Sequence, residues 1–121
     1  MKLIASKSAL RGSAAVPGSK SHTIRALAIA ALAGGRSEIL RPLASADTAS
    51  AVATYRALGA KIDDSDPQCW TVEGTAGRPE RPAAPIDVGN SGTTLFVALS
   101  SEALGDAPVP QIGRASCRER V

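Results

Sequence analysis

Aromatic residues are nearly absent from this chain. One Trp, one Tyr and one Phe make up 2% of 121 residues. With so few rings there is little to stack on bases, and the basic residues are scattered, so nucleic-acid binding is not expected. The core must then be built from Ala, Leu, Val and Ile, which bury less area per residue than Phe or Trp. Cysteine is also scarce. Cys69 and Cys117 have no metal-ligand spacing and imply no disulfide framework. No apolar run approaches the roughly 20 residues that cross a bilayer. Met1-Lys2-Leu3-Ile4 is too short an apolar start for a signal peptide. The expectation is one small cytoplasmic domain with no membrane contact.

The formal charge is +3, a weak pointer to anionic ligands. Part of it sits in residues 111–121, which show no helical or strand periodicity. Arg114, Arg118 and Arg120 against Glu119 give that segment +2, so +3 less +2 leaves +1 for residues 1–110. Ile112 to Val121 also back-translates, in one frame, to a common short-read sequencing adapter whose next codon is a stop. Residues 111–121 are therefore expected to be a non-native tail from adapter read-through, and residues 1–110 the native part.

The remaining pattern alternates strand and helix. Lys2–Ala5 and Ser13–Val16 are β-prone, and Pro17-Gly18 marks a turn. Ser19 caps a helix expected over Lys20–Ala33, with Ile24, Leu27, Ala28, Ala31 and Leu32 on one face and Gly34-Gly35 as its stop. A strand is expected at Ser37–Leu40. A second helix should start at Ser45 or Asp47 and run to Leu58, burying Ala51, Val52, Tyr55 and Leu58. Strands follow at Ala60–Asp63, Cys69–Glu73 and Ile86–Val88, with a Gly- and Pro-rich loop from Gly74 to Pro85. A third helix, Thr93–Leu104, should bury Leu95, Ala98, Leu99 and Ala103. This order predicts an α/β, mixed α+β domain. No G-x-G-x-x-G follows a strand, so a dinucleotide fold is not indicated.

Two places carry the chemistry of anion binding. In Pro17-Gly18-Ser19-Lys20-Ser21-His22-Thr23-Ile24-Arg25, a flexible turn feeds a helix start whose free N–H groups favour phosphate. A cation in a first helical turn opposes the helix dipole, so Lys20 is easier to understand facing an anion. Arg25 lies four and five residues after Ser21 and Lys20, about one turn on, where it is expected to share their face, and it offers a bidentate fork. The plain alternative is a capped amphipathic helix with solvated charges. A Walker A loop does not fit, because Ser19 separates Gly18 from Lys20. In Asp87-Val88-Gly89-Asn90-Ser91-Gly92-Thr93-Thr94, glycines let backbone N–H groups approach a ligand, or simply make a tight connection. Two such helix starts in one small domain suggest a ligand with more than one anionic group.

Pro17-Gly18-Ser19-Lys20-Ser21 with Arg25-Ala26-Leu27, and Gly89-Asn90-Ser91-Gly92-Thr93-Thr94, resemble the two N-terminal signatures of 5-enolpyruvylshikimate-3-phosphate synthases. Ser45-Ala46-Asp47-Thr48 and Leu58-Gly59-Ala60 match the stretch between them. The resemblance implies the N-terminal part of a two-domain enolpyruvyl transferase fold, monomeric when full length. It implies phosphoenolpyruvate and shikimate 3-phosphate as substrates, and no metal or organic cofactor. By motif, Lys20 would be catalytic and contact both substrates. Ser21 and Arg25 would hold shikimate 3-phosphate, while Asn90 and Gly92 would serve phosphoenolpyruvate. Phe96 stands where many members have Arg, and Ala44 and Ala46 replace common acidic residues. His22 is read as non-catalytic, and Cys69 and Trp70 as packing residues. The second domain of the family is missing, so residues 1–110 are expected to be an incomplete domain, inactive alone. The alternatives are the related UDP-N-acetylglucosamine enolpyruvyl transferase, which usually has Asn after the Lys, and a non-catalytic phosphate-binding module.

Overall fold

The computed structural model describes residues 1–105 and the backbone of 111–112. Its elements are α1 (Lys20–Leu32), β1 (Arg36–Leu40), α2 (Ala46–Ala57), β2 (Lys61–Asp63), β3 (Cys69–Glu73), β4 (Ile86–Asp87), α3 (Gly92–Glu102) and β5 (Gln111–Ile112). Strands β1, β3 and β2 form an antiparallel sheet in that order. Ile39 stands opposite Trp70, and Val72 lies between Ser37 and Ile62. Alternation along β3 sends Trp70 and Val72 inward, 4% and 0% exposed. They meet Ile24 and Leu27 of α1, Val52 and Tyr55 of α2, and Leu58 in one core. The α/β character expected from the sequence is present.

The three helices run side by side in the same direction. At one end Lys20 Nζ, on the first residue of α1, is 2.6 Å from Asp47 Oδ2 in the first turn of α2. At the same end a Cβ on Gly89, just ahead of α3, would lie 3.1 Å from Ser50 Oγ of α2. At the opposite end Tyr55 of α2 meets Ser101 of α3, their hydroxyls 2.8 Å apart. The loop after β3 closes that end. Thr75 N donates to Ala31 O, Gly77 N to Leu32 O and Glu80 N to Leu58 O, satisfying carbonyls that α1 and α2 leave unpaired. Gly74 makes this possible, because a Cβ there would sit 2.1 Å from Ala33 O and 2.4 Å from Ala30 O.

Three expectations need correction. Lys2–Ala5 and Ser13–Val16 are not strands: residues 1–19 form no regular element, and Leu3, Ile4, Leu10 and Val16 are all more than 80% exposed. β-propensity is realised only against a partner edge, and none lies beside them among the described residues. On α3 the buried stripe is Thr94, Ala98, Ser101 and Glu102, while Leu99 is 46% exposed and Ala103 is exposed. The helix packs its small and hydroxyl-bearing face on α1 and α2 and turns Phe96, Leu99 and Leu104 outward. Finally, Gln111–Ile112 pair in parallel with Ile86–Asp87, although they carry no periodicity. Main-chain pairing is indifferent to side-chain identity. Residues 113–121, Cys117 among them, lie outside the described residues.

Candidate functional site at the gathered helix starts

Each of the three helices begins with a serine whose side chain accepts a backbone N–H. Ser19 accepts from His22 N, Ser45 from Thr48 N and Ser91 from Thr94 N. A threonine completes each start. Thr23 Oγ1 donates to Ser19 O and accepts from Leu43 N, which ties α1 to the chain entering α2. Thr48 closes a capping box with Ser45, and Thr94 shares a 2.7 Å hydroxyl bond with Ser91. The turn ahead of α1 is equally fixed, since a Cβ on Gly18 would lie 2.6 Å from Arg41 O.

This packing puts three N-terminal dipole ends at one edge of the molecule, a setting that favours anions. Lys20 and Ser21 are the first two residues of α1, Gly92 is the first of α3, and Asn90 lies two residues earlier. Gly89 adopts φ 59° and its N–H donates to Asp87 Oδ1 at 2.7 Å, which shapes the turn carrying Asn90. Asn90 is exposed and Ser21 half-buried.

Contrary to the shared face expected from the sequence, Lys20 and Arg25 lie on different sides of α1. Their separation of five residues is about 140° on a helix, whereas Ser21 and Arg25, four apart, are about 40° apart. Lys20 turns to α2 and Asp47. Arg25, exposed, lines a groove of about 340 Å³ between α1 and α3, with Ala28, Ile29, Val97 and Ser101 around it. Asp47 is the residue that motif reading left out of the site. Its position two residues after a serine and just ahead of Thr48 marked it as first-turn acid of a helix, but only packing could bring that turn to Lys20. His22 is exposed, Trp70 is buried, and Cys69 is half-buried. Among the described residues no group of three or more His, Cys, Asp or Glu could hold a metal ion. No helix among them is long and apolar enough to cross a membrane.

A family model of EPSP synthase (3-phosphoshikimate 1-carboxyvinyltransferase) matches residues 4–120. The chain belongs to the EPSP synthase family. It is 51% identical over 120 residues to the 3-phosphoshikimate 1-carboxyvinyltransferase of Acetivibrio thermocellus, covering 99% of this chain and 28% of that one. The enzyme of the same name from Methanothermobacter thermautotrophicus is 44% identical over 111 residues, with 92% and 26% covered. In structure the chain resembles EPSP synthase from Acinetobacter baumannii, with TM-score 0.80 and 25% identity over 87% of this chain and 24% of that one. This chain thus spans about a quarter of the length of these relatives.

Proposed function

We propose that the protein of which this chain forms part transfers the enolpyruvyl group of phosphoenolpyruvate to the 5-hydroxyl of shikimate 3-phosphate. The reaction releases phosphate and leads to chorismate and the aromatic amino acids. The observation that carries this reading is the gathering of both family signatures, residues 17–25 and 89–94, at the N-terminal ends of parallel helices. Both substrates are anions, and three helix starts with Lys20 and Arg25 nearby suit them.

In this reading the methylene carbon of phosphoenolpyruvate takes a proton, and the 5-hydroxyl oxygen adds to its neighbouring carbon while losing its own proton. The tetrahedral intermediate then expels phosphate and loses a proton from the new methyl group, restoring the double bond. Lys20 contacts both substrates and helps move the proton. Ser21 and Arg25, on one side of α1, hold the phosphate of shikimate 3-phosphate. Asn90 and Gly92 line the phosphoenolpyruvate side, where the lack of a side chain at Gly92 leaves room. Positioning and charge stabilisation supply the catalysis, with no cofactor required. Ser21 favours this substrate over UDP-N-acetylglucosamine, whose transferase usually has Asn there. In this reading the full-length protein acts in the cytoplasm as a monomer.

The test is phosphate release by the full-length gene product. Turnover dependent on both phosphoenolpyruvate and shikimate 3-phosphate is expected. Turnover with UDP-N-acetylglucosamine in place of shikimate 3-phosphate would refute the assignment. Residues 1–121 alone are expected to give no turnover.

A further inference from the structure

Lys20 opens α1, where the helix dipole opposes an ammonium, and the start of α2 beside it adds a second dipole of the same sign. The side chain nonetheless has a defined place, 2.6 Å from Asp47 across 27 residues of sequence. Asp47 lies in the first turn of α2, where a carboxylate is favoured. The lysine is 47% exposed and the aspartate 25%, so the ammonium is the more open partner. An ammonium has three donors. Asp47 takes one and leaves the others for incoming anions. A free lysine would sample many rotamers, whereas one already held keeps its ammonium in one place while the reaction proceeds.

We propose that Asp47 is a positioning residue for enolpyruvyl transfer, fixing the Lys20 ammonium at the common edge of the helix starts before substrate binds. The inference rests on the functional reading above. Asp47 acts through Lys20 and not on the substrates. Its negative charge faces two anionic ligands, so removing it relieves repulsion while releasing the lysine. Chemistry should suffer and binding should not.

The experiment compares full-length wild type with Asp47→Ala and Asp47→Asn. In Asp47→Ala, kcat is expected to fall on the order of 10- to 100-fold, the scale of a misplaced catalytic group. The Kd of shikimate 3-phosphate by calorimetry should stay unchanged or tighten, and Tm should hold. Asp47→Asn, which keeps an acceptor, should lose less. An unaltered kcat overturns the proposal, as does a kcat loss matched by weaker binding and lower Tm, which would make Asp47 structural. If wild type shows no transfer, the functional reading fails, and nitrogen-15 NMR of the Lys20 ammonium judges Asp47 separately. An ordered signal that averages in Asp47→Ala supports the positioning role, and the same signal in both proteins overturns it.

Discussion

The hydroxyls of Tyr55 and Ser101 share a hydrogen bond. The two oxygens are 2.8 Å apart and either can donate, and Ser101 Oγ also lies 2.9 Å from Val97 O. The bond between the two hydroxyls joins α2 to α3 at the end away from the gathered helix starts. Tyr55→Phe removes the phenol hydroxyl but leaves Ser101 bonded to Val97 O, so a loss of about 1 kcal/mol is expected in urea unfolding. Burial is the first cause that raises the Tyr55 pKa above 10.0, with Glu102 adding to it and the Ser101 bond opposing it. A phenol whose folded pKa is raised supports folding fully below the unfolded value and loses that support as pH rises through the folded one. Wild type should therefore lose stability more steeply above pH 10 than Tyr55→Phe does, and parallel curves would contradict this.

Gly74 sits where a side chain would run into the Ala30 and Ala33 carbonyls. In Gly74→Ala the loop must pull back from the α1 C-terminus and give up its bonds to it. A loss of about 3 kcal/mol is expected, at the upper end for overpacking. The midpoint of chemical denaturation reads it directly, and a midpoint within error of wild type would be incompatible with the close approach.

Arg25 and Lys20 leave α1 on different sides, so their roles should separate. In the full-length protein, Arg25→Ala should weaken shikimate 3-phosphate binding by about 1.5–3 kcal/mol, the range for a hydrogen bond to a charged group. Lys20→Ala should weaken it too and, in addition, abolish most turnover. Calorimetry and phosphate release measure the two effects, and unchanged binding in both variants would exclude these contacts.

Gly92 begins α3 next to the Asn90 turn. Gly92→Ala is expected to raise the KM for phosphoenolpyruvate by an order of magnitude or more, a cost of about 1–3 kcal/mol for crowding a packed contact. The KM for shikimate 3-phosphate should change far less. Steady-state kinetics with each substrate varied in turn decides it.

We propose that residues 111–121 are adapter-derived. The family match runs on to residue 120, and β5 at Gln111–Ile112 pairs with β4, so sequence similarity and backbone pairing do not distinguish the two origins. The genomic sequence after the codon for Pro110 does. Different codons there are expected, and the same tail in genomic DNA would falsify the proposal.

Much of the fold was legible because local signals and packing agreed. Ser19 and Ser45 preceded apolar stripes at helical spacing, and α1 and α2 begin at the residues following them. Cys69–Glu73 alternates, and it is β3. The helix starts of the site were visible for the same reason, as Gly-rich turns ahead of periodic segments. Where the reading failed, the deciding term was non-local. Leu99 looked like core because it is apolar, but Thr94 and Ser101 find hydroxyl partners in the interior and take the buried face. Asp47 could not be placed beside Lys20 without knowing that α1 and α2 run in the same direction. The N-terminal β-prone stretches had the residues of strands but no edge to join.

Trp70, the chain's sole tryptophan, is 4% exposed on the inner face of β3, opposite Ile39. The scarcity of aromatics therefore has an optical consequence. Indole fluorescence excited at the red edge comes from one place, the seam between the helices and the antiparallel sheet. Its emission colour distinguishes a docked seam from a wet one. Beside Trp70 on the sheet, Leu40 of β1 leads to Arg41, whose carbonyl packs against Gly18 ahead of α1, so ligand titrations followed by intrinsic fluorescence will register rearrangement of that turn as well as of the seam.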